Sequence, residues 1–203
     1  MDVRTQILNA ATRLMAAHGA AGTSLQDVAD AVGLRKPSVL HYFASKDALR
    51  RAVIDTLLRR WNDVLPKILL AGELGAEARL DAVLGEMIDF FGADPDRARL
   101  LVRELLDRPA EMEHYLTETI APWLNAVSMA LDAGKARGRV RRDIDPRVFA
   151  MQLTGLLLTS LATFDGVRCL LADDEATARD RYLQSLRRIA RQALFPDQGA
   201  PHG

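Results

Sequence analysis

Apolar residues recur at three- and four-residue steps in one segment after another, the rhythm of helices with a single buried face. From Val3 to His18 they fall at Val3, Ile7, Ala10, Ala11, Leu14 and Met15, and Gly19 and Gly22 end the run. Thr23 and Ser24 come next, either able to cap a following helix, and Ser24 with Asp27 three residues on has the form of a capping box. That helix starts near Leu25 and stops at Gly33. A further short helix, opened by Pro37, requires Val39, Leu40 and Phe43 to hold it by packing, because so short a helix is unstable alone. Ser45 then caps a long pattern carried by Leu49, Val53, Leu57, Trp61, Val64 and Ile68, with Pro66 inside it or near its end. Ala71 to Ala76, AGELGA, reads as a break.

The rest of the chain continues in the same rhythm. Glu77 to Gly92 is interrupted by Asp94-Pro95, Ala98 to Leu106 by Arg108-Pro109. From Glu111 the pattern runs through Tyr115, Leu116 and Ile120 until Pro122 forces a kink or a fresh start ahead of Trp123, Leu124, Val127 and Leu131. Lys135 to Arg142, KARGRVRR, places cations at the negative end of that helix with Gly138 just beyond. Helix closure and a solvated loop account for this run without a second nucleic-acid patch. Asp145-Pro146 opens a helix through Phe164. After an aspartate-rich loop, Ala176 to Leu194 forms the last helix, with Leu183, Leu186, Ile189, Ala190, Ala193 and Leu194 on one stripe and Arg179, Arg187, Arg188 and Arg191 turned largely away.

Composition adds a sign asymmetry. The 203 residues carry no net formal charge, yet residues 1 to 60 hold 9 Lys and Arg against 5 Asp and Glu while the remainder holds 18 against 22. Such a split is expected if only the N-terminal part meets phosphate. With 49% hydrophobic residues there is ample material for a buried core. The single cysteine, Cys169, flanked by Leu170 and Leu171, is expected to be a small core residue of a reducing compartment. Met1 to Ala17 has the rhythm of an amphipathic helix instead of a signal peptide, so a cytoplasmic location is expected. Val148 to Phe164 has 17 residues without a charge. Its Gln, Ser and Thr residues and its length favour a helix buried on most sides in protein, and no membrane partner is expected.

The stretch most dense in chemistry is Ser24 to Lys46, SLQDVADAVGLRKPSVLHYFASK. A helix-turn-helix needs a small residue where its helices touch, a turn residue that accepts a left-handed backbone, and an apolar lock between the helices. Ala29, Gly33 and Val39 supply these, with Val28, Val32 and Leu34 filling the shared interior. Arg35, Lys36, Ser38, His41 and Tyr42 are left to face outwards. Arg35 stands where a short capping side chain belongs, and Arg35 and Lys36 set two cations at the positive end of a helix dipole. Phosphates or guanine edges there would relieve that cost. The chain has no nucleophile elbow, phosphate loop, dinucleotide fingerprint or zinc-protease motif. Glu111, His114 and Glu118 share a helix face, but one histidine between two acids is ordinarily a solvated face, so neither metal nor cofactor is expected.

The segment TSLQDVADAVGLRKPSVLHYFASKDAL, and above all His41, Tyr42, Phe43, Lys46 and Leu49 at its end, resembles the N-terminal domain of the Tet repressor (TetR/AcrR) family of bacterial transcription regulators. Two positions depart from the family pattern. Leu40 stands where an aromatic residue, commonly tyrosine, is usual, and Arg35 replaces a small hydroxyl residue.

The resemblance implies an all-α chain: a three-helix helix-turn-helix DNA-binding domain over residues 1–47, then a helical ligand-binding and dimerisation domain over residues 48–203. It implies that Lys36, Ser38 and Val39 lie near base edges or the groove wall, and that Thr23, Tyr42 and Lys46 touch phosphates. Ser24 and Arg35 are expected among the DNA-binding residues as well, and His41 can take either role. It further implies an effector pocket, for which Trp61, Met87, Phe90, Phe91, Leu105, Tyr115, Trp123, Met151 and Leu158 come from the appropriate helices, each also readable as plain core. The implied partners are double-stranded operator DNA, a small apolar effector, and a second copy of the chain joined through the last two helices. The expected function is that of a ligand-responsive regulator, chiefly a repressor, on a roughly palindromic site. A helical enzyme and a helical protein-interaction module are the competing classes.

Overall fold

The computed structural model describes residues 2–70, 75–171 and 174–196, with the side chains of residues 60–70 left out of that description. Among these residues ten α-helices follow one another: α1 Val3–His18, α2 Leu25–Ala31, α3 Lys36–Tyr42, α4 Lys46–Leu70, α5 Ala76–Gly92, α6 Pro95–Asp107, α7 Pro109–Tyr115, α8 Ala121–Ala136, α9 Pro146–Val167 and α10 Glu175–Leu194. No strand occurs among the described residues. The fold is all-α, with an N-terminal helix-turn-helix followed by a larger helical body.

Short polar side chains set most of the helix starts. Asp2 accepts from the Thr5 N–H at 2.7 Å, Ser45 from the Ala48 N–H at 3.0 Å, and Asp145 and Asp174 each accept from two amides of their helices' first turns. At α2 the capping box is complete: the Asp27 N–H donates to Ser24 Oγ at 3.1 Å and the Ser24 N–H donates to the Asp27 carboxylate at 2.7 Å. α4 continues past Pro66 to Leu70, and most of the expected break at residues 71–76 lies outside the described residues.

Pro122 produces a wider turn instead of a sharp kink. Having no N–H, it cannot bond the carbonyl four residues earlier, and the backbone between α7 and α8 relaxes into a π-turn over Leu116–Ile120. After α8 the chain reverses at Gly138, whose φ of 68° suits glycine, and Val140 folds back against Gly134. A Cβ on Gly134 would stand 2.7 Å from Val140 Cγ2, so the closure depends on that bare backbone.

One contiguous apolar cluster runs from Ile7, Met15 and Val28 through Leu49 and Ile54 on α4 to Leu84, Leu100, Leu157 and Leu186. α6 sits at its centre, packed on both α1 and α9. Arg99 on α6 pins it to α9 by bonds to the Ala162 carbonyl at 3.1 Å and the Asp165 carboxylate at 2.5 Å.

Four expectations are corrected. Arg179, Arg187 and Arg191 do not turn away from the body: Arg179 donates to the Gly92 carbonyl at 2.7 Å, and Arg187 and Arg191 reach Asp81 on α5. Ile189, placed on the buried stripe, is half exposed. Cys169 is exposed in a 3-10 turn after α9, because that turn projects beyond the packed part of the helix. The long uncharged helix is not buried on most sides within one chain, since only 33% of its most apolar stretch is covered. Val148, Met151, Gly155, Leu156 and Thr159 remain exposed on α9, spaced as one helical stripe.

Candidate nucleic-acid interface and apolar cavity

The helix-turn-helix is assembled as its residue types require. Ala29 is fully buried where α2 meets its neighbours. Gly33 adopts φ 69°, and the Leu34 N–H closes back on the Ala29 carbonyl at 2.9 Å. A residue with a Cβ resists that left-handed backbone. α3 begins after Arg35, which makes no side-chain cap, with Pro37 in its first turn.

Rotation about the α3 axis then sorts its residues. Val39 and Phe43 point inwards and are buried, while Lys36, Ser38, Leu40, His41 and Tyr42 are exposed. Val39 is therefore no part of the outer face: its exposure is 0%, and its work is to lock α3 onto the core. Leu40 shows the opposite correction, being 38% exposed among the polar residues instead of packed beneath them. Thr23 is also buried, and its hydroxyl donates to the Gly19 carbonyl at 2.9 Å, so its position is fixed by α1 and does not present the hydroxyl to an outside phosphate. Ser24 is exposed, with its side chain occupied in the capping box.

Two further contacts hold this head in shape. Lys46 at the start of α4 donates to the Ala21 carbonyl at 3.1 Å, and Arg4 lies over the Phe43 ring at 5.4 Å. Arg4 went unnoticed in the sequence because nothing local marks it. His41 and Tyr42 meet edge to face at 5.6 Å on the outer side.

Below the head, α4 carries Arg50, a guanidinium only 4% exposed. Its Nη1 lies 2.6 Å from Glu104 on α6, and its Nη2 pairs with Glu111 on α7. Arg108 joins Glu111 from the other side at 2.8 Å, and this bond is the main cause that holds the Arg108 guanidinium above its ordinary pKa. Glu111, considered in the sequence beside His114 and Glu118, is thus committed to two arginines. No local sequence signal announces this cluster, since Arg50 and Glu104 are 54 positions apart.

Farther along α4, Leu58 reaches the wall of a cavity of about 270 Å³ bordered by α4 to α9 and partly open to the surface. Of the residues expected there, Met87, Phe91, Leu105, Trp123, Met151 and Leu158 line it. Phe90 does not: it stands under the Arg97 guanidinium at 4.6 Å. Tyr115 packs beside the core instead of on the cavity wall, where burial raises its phenol pKa. The Trp61 side chain lies outside the described residues. Leu101, Met112, Leu116, Ile120, Leu124, Thr154 and Gly155, none of them expected, also line it, two of them from the ends of the π-turn. Among the described residues no Lys, Arg, His, Asp or Glu borders this cavity. A smaller cavity of about 90 Å³ adjoins it through Met87, Trp123 and Thr154 and has Arg79 on its wall. Trp123 Nε1 is buried and has no hydrogen-bond partner among the described residues.

An exposed basic helix face on a glycine-turned helix pair, joined by one continuous helix to a cavity-bearing helical body, defines a helix-turn-helix DNA-binding protein. Residues 7–53 match the family model described as bacterial regulatory proteins, tetR family. The chain is 29% identical over 147 residues, 70% of each protein, to the HTH-type transcriptional repressor KstR2 of Rhodococcus jostii. It is 25% identical over 137 residues to the HTH-type transcriptional regulator EthR of Mycolicibacterium smegmatis, covering 68% of this chain and 63% of that protein. The fold is similar to that of the ketosteroid transcriptional regulator KstR2 of Mycobacterium tuberculosis, with a TM-score of 0.75 at 17% identity over 97% of this chain and 96% of that one. Residues 7–53 thus match the tetR family of bacterial regulatory proteins, and the relatives that the chain resembles over most of its length are transcriptional regulators.

Proposed function

We propose that this protein is a cytoplasmic, homodimeric repressor that releases a roughly palindromic operator when a small, largely apolar molecule enters the cavity beside α4. The observation that carries this reading is the continuity of α4: Lys46 at one end is tied to the helix-turn-helix, and Leu58 three turns on forms part of the cavity wall. In this reading residues 1–47 form the DNA-binding domain and residues 48–203 the effector and dimerisation domain. Lys36 and Ser38 meet base edges, Arg35, Tyr42 and Lys46 meet phosphate, Ser24 lies at the rim, and His41 serves either contact.

The exposed stripe of α9 and the half-exposed Ile189 of α10 support a dimer, because a second copy can bury both in a four-helix bundle. Two-fold symmetry then sets two α3 helices about one DNA turn, roughly 34 Å, or a multiple of it apart. A ligand that favours one tilt of α4 changes the separation of the heads, and both half-sites can no longer be met at once.

The test is fluorescence anisotropy with DNA from upstream of the protein's own gene. Binding that weakens steeply as salt rises from about 50 to 200 mM supports the reading. Absence of binding at the lower salt overturns it.

A further inference from the structure

α3 carries one large side chain whose chemistry the polar contacts of its outer face do not use. Leu40 is 38% exposed, lies outside the core cluster, and stands among Lys36, Ser38, His41 and Tyr42, all of them polar and exposed. Val39 and Phe43, both buried, supply the packing that holds the helix. A lone exposed leucine elsewhere on a protein surface needs no explanation. On this helix its chemistry is restrictive, because an isobutyl group neither donates nor accepts a hydrogen bond, and phosphate oxygens and most base edges offer it nothing. The major-groove edges of the base pairs present one apolar group, the C5 methyl of thymine.

We propose that Leu40 is a specificity-determining residue that reads a thymine by packing against its C5 methyl. The inference rests on α3 being the helix that enters the major groove. At about 100° per residue, Leu40 and Lys36 fall within roughly 40° of each other around α3, and at ~1.5 Å per residue they stand ~6 Å apart along it. Base pairs repeat every ~3.4 Å. With α3 along the groove, the thymine therefore lies about two base pairs from the base pair that Lys36 meets. Tyr42 stands on the opposite flank, about 160° from Leu40, and His41 contacts it edge to face at 5.6 Å. The flank beside Lys36 is thus left to Leu40.

The probe is the tightest duplex that the full-length protein selects from a random-sequence pool, with each thymine replaced in turn by deoxyuridine, which removes the C5 methyl alone. One replacement in each half-site is expected to weaken binding about fourfold, the effect of leaving one methyl unburied, and both together about fifteenfold. The other replacements should stay within about twofold. Leu40→Ala should melt within about 2 °C of the unsubstituted protein and bind the thymine and deoxyuridine duplexes alike, within about 1.5-fold. The scan with the unsubstituted protein needs no variant to fold. No sensitive thymine, or selected half-sites without an A·T pair, overturns the proposal and leaves α3 as the reading helix. So does a sensitivity that persists in Leu40→Ala, which gives the methyl to another exposed residue such as Pro37. If no sequence is enriched, this proposal and the reading of the protein as an operator-binding regulator both fall.

Discussion

Arg50 Nη1 lies 2.6 Å from Glu104 Oε2, and both side chains are withdrawn from solvent. This pair joins the helix that leaves the DNA-binding head to the helix at the centre of the body, and Glu111 extends it to α7. A buried pair of this kind is worth little against a well-packed apolar replacement, but removing one partner strands the other charge.

Arg50→Met is therefore expected to lower stability by about 3–5 kcal/mol, because Glu104 is left buried without its partner. Arg50→Met combined with Glu104→Leu is expected to recover most of that loss. Urea denaturation of the single and double variants gives the coupling directly. A double variant no more stable than Arg50→Met would show that the cost lies elsewhere.

The rotation of α3 separates two kinds of defect. Val39→Ala removes buried apolar volume and should lower stability by about 1–2 kcal/mol, with DNA affinity reduced alike for every sequence. Lys36→Ala should leave stability within about 0.5 kcal/mol and relax sequence preference, while Tyr42→Phe weakens all sequences similarly. Thermal melts paired with binding to operator and scrambled DNA distinguish them, and a Lys36→Ala variant with wild-type affinity and preference would refute its assignment to base edges.

Acid should loosen the start of α2. The Ser24 N–H, and then its hydroxyl, hold the Asp27 carboxyl below its ordinary value of 3.8. A folded-state pKa below the unfolded one means that the unfolded chain binds more protons between the two values. The contribution is thus complete above about pH 4 and is lost as pH falls through the lowered value. Against Asp27→Asn, the stability gap should stay constant from pH 7 to 5 and close below 3.8. A gap that does not change with pH would count against it.

Charge on the exposed stripe of α9 tests the dimer. Leu156 is 41% exposed in the single chain, and Leu156→Arg should give a monomer by light scattering with little change in melting temperature. Its affinity should fall far more for a two-half-site DNA than for a single half-site, as expected when two linked heads become one. A Leu156→Arg dimer as tight as the unsubstituted protein would place the interface elsewhere.

Helix starts and turns were written locally in this chain. Ser24, Ser45, Asp145 and Asp174 cap with their own side chains, Gly33 and Gly138 supply the left-handed turns, and the proline breaks fall where the backbone loses a donor. Those signals involve residues within one turn of each other, so spacing and residue type suffice to read them. The helix-turn-helix is legible for the same reason.

What tertiary structure alone decided is which face of each helix meets another. Val39 and Leu40 are adjacent apolar residues, and only packing against the rest of the helix-turn-helix, α2 foremost, sends one inward and leaves the other on the polar face. Arg179 and Arg191 read as charges turned away until Gly92 and Asp81 arrive from distant helices, and Arg50 meets Glu104 with no local sign of it. The cavity is the space that side chains from six helices do not fill, and among the described residues no acceptor reaches the buried indole N–H of Trp123. Long-range packing creates both, and neither has a local cause in the sequence.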